Sequence, residues 1–132
     1  MMMTIQVLIA DDHKMLREGL RSLLEKEPGI AVVGEAANGA EAVSLTREMR
    51  PSVVIMDIEM PEMNGIEATR QIIAEMPEIR VIGLSMHTET DVEESMRQAG
   101  ASAFVAKDSA FERLAAAIRA VTTAGSCGAD AH

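Results

Sequence analysis

The sequence predicts a single α/β domain built on a doubly wound, five-stranded parallel sheet with helices on both faces. Three observations predict it. Short apolar runs alternate strictly with amphipathic stretches, the runs are apolar at successive positions rather than at every second one, and prolines or glycines mark the joints. A chain of 132 residues suits one domain of this kind and buries about two thirds of its unfolded surface on folding. Five strand-helix units are too few for an eight-fold barrel, and right-handed crossovers leave few strand orders open.

Residues 5–10 form the first strand, an apolar run that stops at Asp11-Asp12. Leu16, Leu20, Leu23 and Leu24 then line one helical face, which Pro28-Gly29 must end. Residues 30–33 make the second strand, and Ala42, Leu45 and Met49 the second helical stripe before Pro51. Residues 53–56 make the third strand. After the turn-forming 61–65 segment, Ile66, Thr69, Ile73 and Met76 share a helical face that Pro77 closes. Residues 81–84 form strand four, and the thin stripe Val92, Met96 and Ala99 predicts a helix capped by Gly100. Residues 103–106 form strand five. Phe111, Leu114, Ala115, Ile118 and Val121 predict the last helix, with a polar tail starting near Gly125.

Composition narrows the function. With 48% hydrophobic and 25% charged residues the chain is that of an ordinary globular protein. No apolar run approaches the roughly 20 residues of a membrane span, and the opening lacks a basic signal-like start, so the expected location is the cytoplasm. The single Cys127 has neither a disulfide partner nor a metal-ligand set around it. A formal net charge of -9, with Lys and Arg scattered, argues against direct nucleic-acid binding.

Ligands of open parallel sheets bind beyond the carboxyl ends of the strands, so the informative residues are those that follow each apolar run. Strand one ends in Asp11-Asp12, strand three in Asp57, strand four in Ser85 and strand five in Lys107. Each has an ordinary explanation when taken singly. Asp11 or Asp12 equally suits a helix cap, Asp57 a turn, Ser85 a loop and Lys107 a solvated surface. Together they put three carboxylates, a hydroxyl and an ammonium on one rim. Crowded carboxylates repel one another unless a hard divalent cation sits among them, and Mg²⁺ leaves coordination positions free for phosphate oxygens. A hydroxyl and a lysine then suit a transferring phosphoryl group, and a carboxylate can accept it as an acyl phosphate. Asp57 is the best-placed nucleophile.

At this point the sequence resembles a known family. Asp11-Asp12-His13, the 56–61 segment Met-Asp-Ile-Glu-Met-Pro, Asn64-Gly65, Ser85, and Gly100-Ala101 followed by Phe104 and Lys107 resemble the receiver domain of two-component response regulators. The 13–20 segment, with 65–69 and Lys107-Asp108, is similar to the NarL/FixJ (LuxR-type) class. The resemblance covers residues 5 to about 121. It implies a flavodoxin-like fold with strand order 2-1-3-4-5.

It also implies roles: Asp57 as phosphoacceptor, Asp12 as a direct Mg²⁺ ligand, Asp11 as a ligand through water, and the backbone carbonyl of Glu59 as a further ligand. Ser85 becomes the switch hydroxyl, Lys107 the phosphoryl-binding lysine, and Phe104 the switch aromatic. On its own, Phe104 reads equally as core. Where the family often has tyrosine, a phenylalanine stands here, so no phenolic hydrogen bond is available. Glu59 and His87 occupy positions whose side chains tune phosphate arrival and loss, although each is an ordinary loop residue by pattern. Met56, Met60 and Met63 are read as packing beside a hard oxygen set.

The implied function is a signalling domain that takes a phosphoryl group from a histidine kinase or phosphorelay protein. It then alters the surface of helix four, strand five and helix five, with a homodimer as one outcome. Residues 1–121 are expected to form the domain and 122–132 a flexible tail, too short for the helix-turn-helix output domain of this class. The chain is therefore either a piece of a transcription regulator or a stand-alone receiver. A small phosphatase with an Asp nucleophile is the competing enzyme class, but Glu59 stands where its second Asp is usual. A nucleotide-binding domain lacks its Gly-rich motifs here.

Overall fold

The computed structural model describes residues 4–86 and 90–131, with side-chain surroundings for 4–86 and 91–122. Five strands and five helices alternate: β1 Ile5–Ala10, α1 Lys14–Glu25, β2 Ile30–Ala36, α2 Gly39–Met49, β3 Val53–Asp57, α3 Gly65–Glu75, β4 Arg80–Ser85, α4 Thr90–Ala99, β5 Ala103–Ala106 and α5 Ala110–Ala131. A 3-10 turn, Lys107–Ser109, joins β5 to α5. All strand pairs are parallel, in the order β2-β1-β3-β4-β5. The predicted fold class and strand order are thus observed.

Side-chain alternation splits the core into two layers. Val7, Ile9, Val53, Ile55, Ile82, Leu84 and Val105 face Leu20 and Leu24 of α1 and Leu114 and Ile118 of α5. Leu8, Ala10, Val54, Met56 and Val81 face α2, α3 and α4 through Ala42, Val43, Ala68, Ile72 and Met96. Both faces of the sheet are covered, so the central strands need no polar alternation: Gln6 and Arg80 stand at the amino ends of β1 and β4, and the buried polar residues of these strands, Asp57 and Ser85, stand at the carboxyl ends.

Local signals explain the boundaries. Asn38 and Asn64 cap α2 and α3, accepting hydrogen bonds from the amides of Glu41 at 2.7 Å and Glu67 at 2.9 Å. Gly100, at φ +115, follows α4 in a conformation that suits glycine. Gly65 is needed for a different reason. A Cβ there would collide with the Asp57 carbonyl, while its own amide donates to the Ile58 carbonyl at 2.8 Å. Because the obstacle is backbone, Gly65→Ala should lower stability by at least about 1–3 kcal/mol in urea melts and shift the backbone of Asp57.

Several expectations need correction. β2 runs to Ala36 rather than stopping at Val33, passing Gly34 by a register shift between Val7 and Leu8 of β1. The α3 stripe is rotated by about one residue: Ala68, Thr69 and Ile72 are buried, whereas Ile66 and Ile73 are only partly so. Met49 and Phe111 are exposed rather than core. Phe111 stands one residue round from the buried stripe Ala110, Leu114, Ile118 and Val121, and its ring lies across Gly19 of α1. Helical backbone also continues through the expected tail to Ala131. No proline interrupts it, and an interior glycine costs a helix only about 1 kcal/mol.

Candidate functional site at the carboxyl edge of the sheet

The register explains why residues far apart in sequence converge. Ala10 pairs with Met56, Asp57 with Leu84, and Ser85 with Ala106. The residues that end or directly follow these strands therefore share one edge, with Asp11 beside Asp57 and Ser85 between Asp57 and the start of the Lys107–Ser109 turn. Asp11, Asp57, Ser85 and Lys107 are all buried, whereas Asp12 is accessible from solvent.

Lys107 is the hub. Its Nζ lies 3.0 Å from Asp11 Oδ2 and 3.1 Å from Asp57 Oδ2, with the three side chains 4%, 0% and 3% exposed. Neither oxygen accepts a well-directed hydrogen bond, despite full burial. Each is ion-paired with Lys107, and a carboxylate oxygen that faces one ammonium keeps a further lone pair for a second cation. Asp11, Asp12, His13 and Asp57 each offer a ligand atom, all within 4.8 Å of one another. A predominantly oxygen donor set of this kind fits a hard divalent ion.

The electrostatics follow from crowding and burial. Burial, reinforced by repulsion from Asp11, pushes the Asp57 carboxyl up to about 6 against the pull of Lys107 and the Glu59 amide. For Lys107, burial acts to lower the pKa, but Asp11 and Asp57 outweigh it and the net shift is upward. Lys107 is held as a cation, while Asp57 is a carboxylate only above mildly acidic pH.

Neither member of the acidic pair caps α1. His13 is its N-cap residue and makes no side-chain capping bond; Asp11 Oδ1 instead accepts the His13 amide at 2.7 Å. Glu59 is exposed, and its amide donates to Asp57 Oδ1 at 3.4 Å. Phe104, on β5 opposite Gly83, packs beside Met96 in the layer under α4; a Cβ on Gly83 would lie 2.9 Å from both side chains. Met56 and Met60 belong to that same core layer, and Met63 packs against it. His87 lies outside the described residues.

A buttress escaped the sequence reading. Arg17 donates to the Asp11 carbonyl at 2.6 Å and to Glu35 Oε1 at 3.0 Å, and Arg21 reaches Glu35 Oε2 at 2.8 Å. The Arg21 guanidinium, aided by Arg17, holds the Glu35 carboxyl below its usual range. Applying the strand-end test to β2 as well would have found Glu35, but β2 was expected to stop before reaching it.

Among the described residues no helix is long and apolar enough to cross a membrane. Residues 7–119 match the response regulator receiver domain family. The chain is 42% identical to the response regulator UvrY of Escherichia coli K12 over 117 residues, covering 89% of this chain and 54% of the relative. It is also 42% identical to the transcriptional regulatory protein LiaR of Bacillus subtilis over 118 residues, covering 89% of this chain and 56% of that protein. The chain thus spans about half the length of these curated relatives. A LuxR-family two-component response regulator from Aurantimonas superposes with a TM-score of 0.87 at 41% identity, covering 91% of this chain and 86% of that one. Fold, strand-end chemistry and sequence relationship agree: the chain belongs to the response regulator receiver domain family, signalling domains of two-component systems rather than conventional enzymes.

Proposed function

We propose that this receiver accepts a phosphoryl group on Asp57 from a histidine kinase or phosphorelay protein, and that the modified domain controls an output, most simply transcription. The observation that carries the reading is the buried Asp11-Asp57-Lys107 cluster, with Asp57 Oδ2 3.1 Å from the Lys107 ammonium and no directed hydrogen bond occupying it. An Asp57 oxygen forms the new bond to phosphorus while the donor's P–N or P–O bond breaks, the electron pair leaving with the donor. Lys107 neutralises charge on the phosphoryl oxygens, and Ser85, at the end of the next strand, donates its hydroxyl to one of them.

Asp12 directly, Asp11 through water, Asp57, and the Glu59 carbonyl would hold Mg²⁺, which supplies charge neutralisation at the phosphoryl group. Receiver domains bind Mg²⁺ at this acidic pocket, and the donor set here suits it. Ser85 drawn toward the phosphate frees space next to Phe104, and repacking of Phe104 beside Met96 alters the α4-β5-α5 surface.

Residues 1–121 constitute the signalling unit. The relatives' greater length supports an output domain beyond it in the whole protein, with a cytoplasmic transcription regulator as the natural setting. A phosphorylated homodimer is one form in which the altered surface would act.

Incubation with acetyl phosphate and Mg²⁺ tests the reading by intact mass. One base-labile phosphate should appear on the wild type and none on Asp57→Asn; equal labelling of the two would overturn the assignment.

A further inference from the structure

Arg17 reaches the strand-end cluster from α1, and it does so through the main chain. Its Nη1 donates to the Asp11 carbonyl at 2.6 Å while its Nε donates to Glu35 Oε1 at 3.0 Å. Both side chains are largely buried, at 14% and 22% exposure. The Asp11 amide in turn donates to the Ala36 carbonyl at 3.0 Å. Asp11 is therefore gripped at both polar groups of its backbone. Its carboxyl has little freedom left, since Oδ1 accepts the His13 amide at 2.7 Å and Oδ2 faces Lys107 Nζ at 3.0 Å. A guanidinium suits this task because its planar fork offers donors in fixed directions to two acceptors at once.

Glu35 reaches Arg17 because β2 is bulged. The pairing with β1 steps from Val7–Val32 to Leu8–Gly34, so that Val33 is the extra residue. In-register neighbours on parallel strands point to the same face, and a slip of one residue exchanges the faces. Beyond the bulge Glu35 pairs with Ile9, whose side chain lies in the layer under α1. An unbulged β2 would pair Glu35 with Ala10 instead, in the layer under α2 and α3 and away from Arg17. The sheet is thus irregular where irregularity sets a carboxylate opposite Arg17. Arg21 donates to the other oxygen, Glu35 Oε2, at 2.8 Å and fixes the carboxylate in the orientation that Arg17 uses.

We propose that Arg17 is a positioning residue for phosphoryl transfer to Asp57, aimed by the bulge-presented Glu35 and acting through the Asp11 carbonyl. The inference rests on the phosphoacceptor reading of Asp57 and adds to it a residue that touches none of the reacting atoms. Lys107 Nζ is shared by Asp11 Oδ2 at 3.0 Å and Asp57 Oδ2 at 3.1 Å, so the place of Asp11 decides how closely the ammonium holds Asp57. Without Arg17 the Asp11 carbonyl loses this donor and the turn after β1 loosens. Asp11 then restrains Lys107 less, the ammonium closes on Asp57, and the carboxylate that must attack phosphorus is masked. Misplacement by about 1 Å costs such a step up to about a hundredfold.

The measurement is the rate of phosphate incorporation from acetyl phosphate and Mg²⁺, followed by intact mass at a temperature where thermal melts show each variant folded. Arg17→Met should label at least about tenfold more slowly than the wild type. Arg17→Lys keeps the charge and guards against a methionine variant that fails to fold; it should also be slowed, since one compact ammonium cannot reproduce the fork. Glu35→Ala should slow labelling, and Glu35→Gln, which keeps an oxygen for Arg17 Nε, should recover most of that loss. In the Arg17→Met background Glu35→Ala should cost less than about twofold more, because residues that act through one another are not additive. Arg119→Met is the structural control. Arg119 bridges a carbonyl and a carboxylate in the same way, Pro28 at 2.9 Å and Glu27 Oε1 at 3.1 Å, but ahead of the amino end of β2, so its loss should leave the labelling rate at the wild-type value. A wild-type rate in a folded Arg17 variant, or slowing by Arg119→Met equal to that by Arg17→Met, would overturn the inference while leaving Asp57 as the acceptor. If Asp57→Asn labels as the wild type does, the phosphoacceptor reading fails and the inference fails with it.

Discussion

Lys107→Met should destabilise the metal-free protein by about 3–5 kcal/mol at pH 8, the usual cost of removing one partner from a buried ionic cluster. The size follows from burial. Lys107 is 4% exposed and neutralises Asp11 and Asp57, which are 0% and 3% exposed, so methionine fills the volume but leaves two adjacent carboxylates without a counterion. They can then persist only by taking up a proton. Lys107 itself does not titrate in this range, because its pKa is raised from an already high ordinary value by Asp11 and Asp57. Its stabilising contribution is full below the unfolded-state pKa and disappears only as pH rises through the folded one. The pH dependence of the defect must come from the carboxylates: Asp57, already pushed up to about 6, moves further up when the lysine is gone. The deficit should therefore shrink toward pH 5. Urea melts at pH 5 and 8 measure it, and adding Asp57→Asn to Lys107→Met should recover much of the loss at pH 8. Wild-type stability in Lys107→Met at pH 8 would show that the cluster is not a charge-compensated unit.

The same cluster shows what a sequence can and cannot disclose. Asp11, Asp57, Ser85 and Lys107 were legible because each stands where an apolar run stops, and a parallel sheet brings those stopping points to one edge. Strand order needed more than pattern, and came from the resemblance. Glu35 was missed because Gly34 reads as a strand terminator, whereas the β1-β2 register shift carries the strand past it. Arg17 and Arg21 were invisible for a related reason: on a helix surface they look like solvated charges, and only their contacts with Glu35 and the Asp11 carbonyl distinguish them. His13 looked like part of a family signature, and its placement among three charged groups is a tertiary fact. The rotated stripe of α3 and the exposure of Phe111 reflect a general limit. Helical periodicity defines a face to within about one residue, or 100° of rotation, and packing against the sheet selects which residues go inside.

Asp57→Asn should make the metal-free protein more stable above about pH 6, by up to about 3 kcal/mol at pH 8, and leave it unchanged near pH 4. The sign is fixed by linkage. A carboxyl raised from 3.8 in the unfolded chain to about 6 in the fold binds more protons when folded throughout that interval. Folding stability of the wild type therefore falls as pH rises from about 4 to about 6 and is flat, with respect to this group, above it. Each unit is worth about 1.4 kcal/mol, and the shift is about two units, which sets the ceiling. Asparagine resembles the protonated acid in shape and is neutral at every pH, so it escapes the penalty while leaving Lys107 paired with Asp11 at 3.0 Å. Mg²⁺ should act in the opposite sense on the two proteins' difference. A ligand that binds only the folded state adds about 2.7 kcal/mol at 100 times its dissociation constant, and it binds better where Asp57 is ionised. Millimolar Mg²⁺ should thus raise the melting temperature of the wild type more than that of Asp57→Asn and narrow the gap between them. Thermal melts at pH 4, 6 and 8, with and without Mg²⁺, test both halves: a variant that is no more stable than the wild type at pH 8, or one that gains equally from Mg²⁺, would mean that the charge on Asp57 is not what the folded site holds at a cost until a cation arrives.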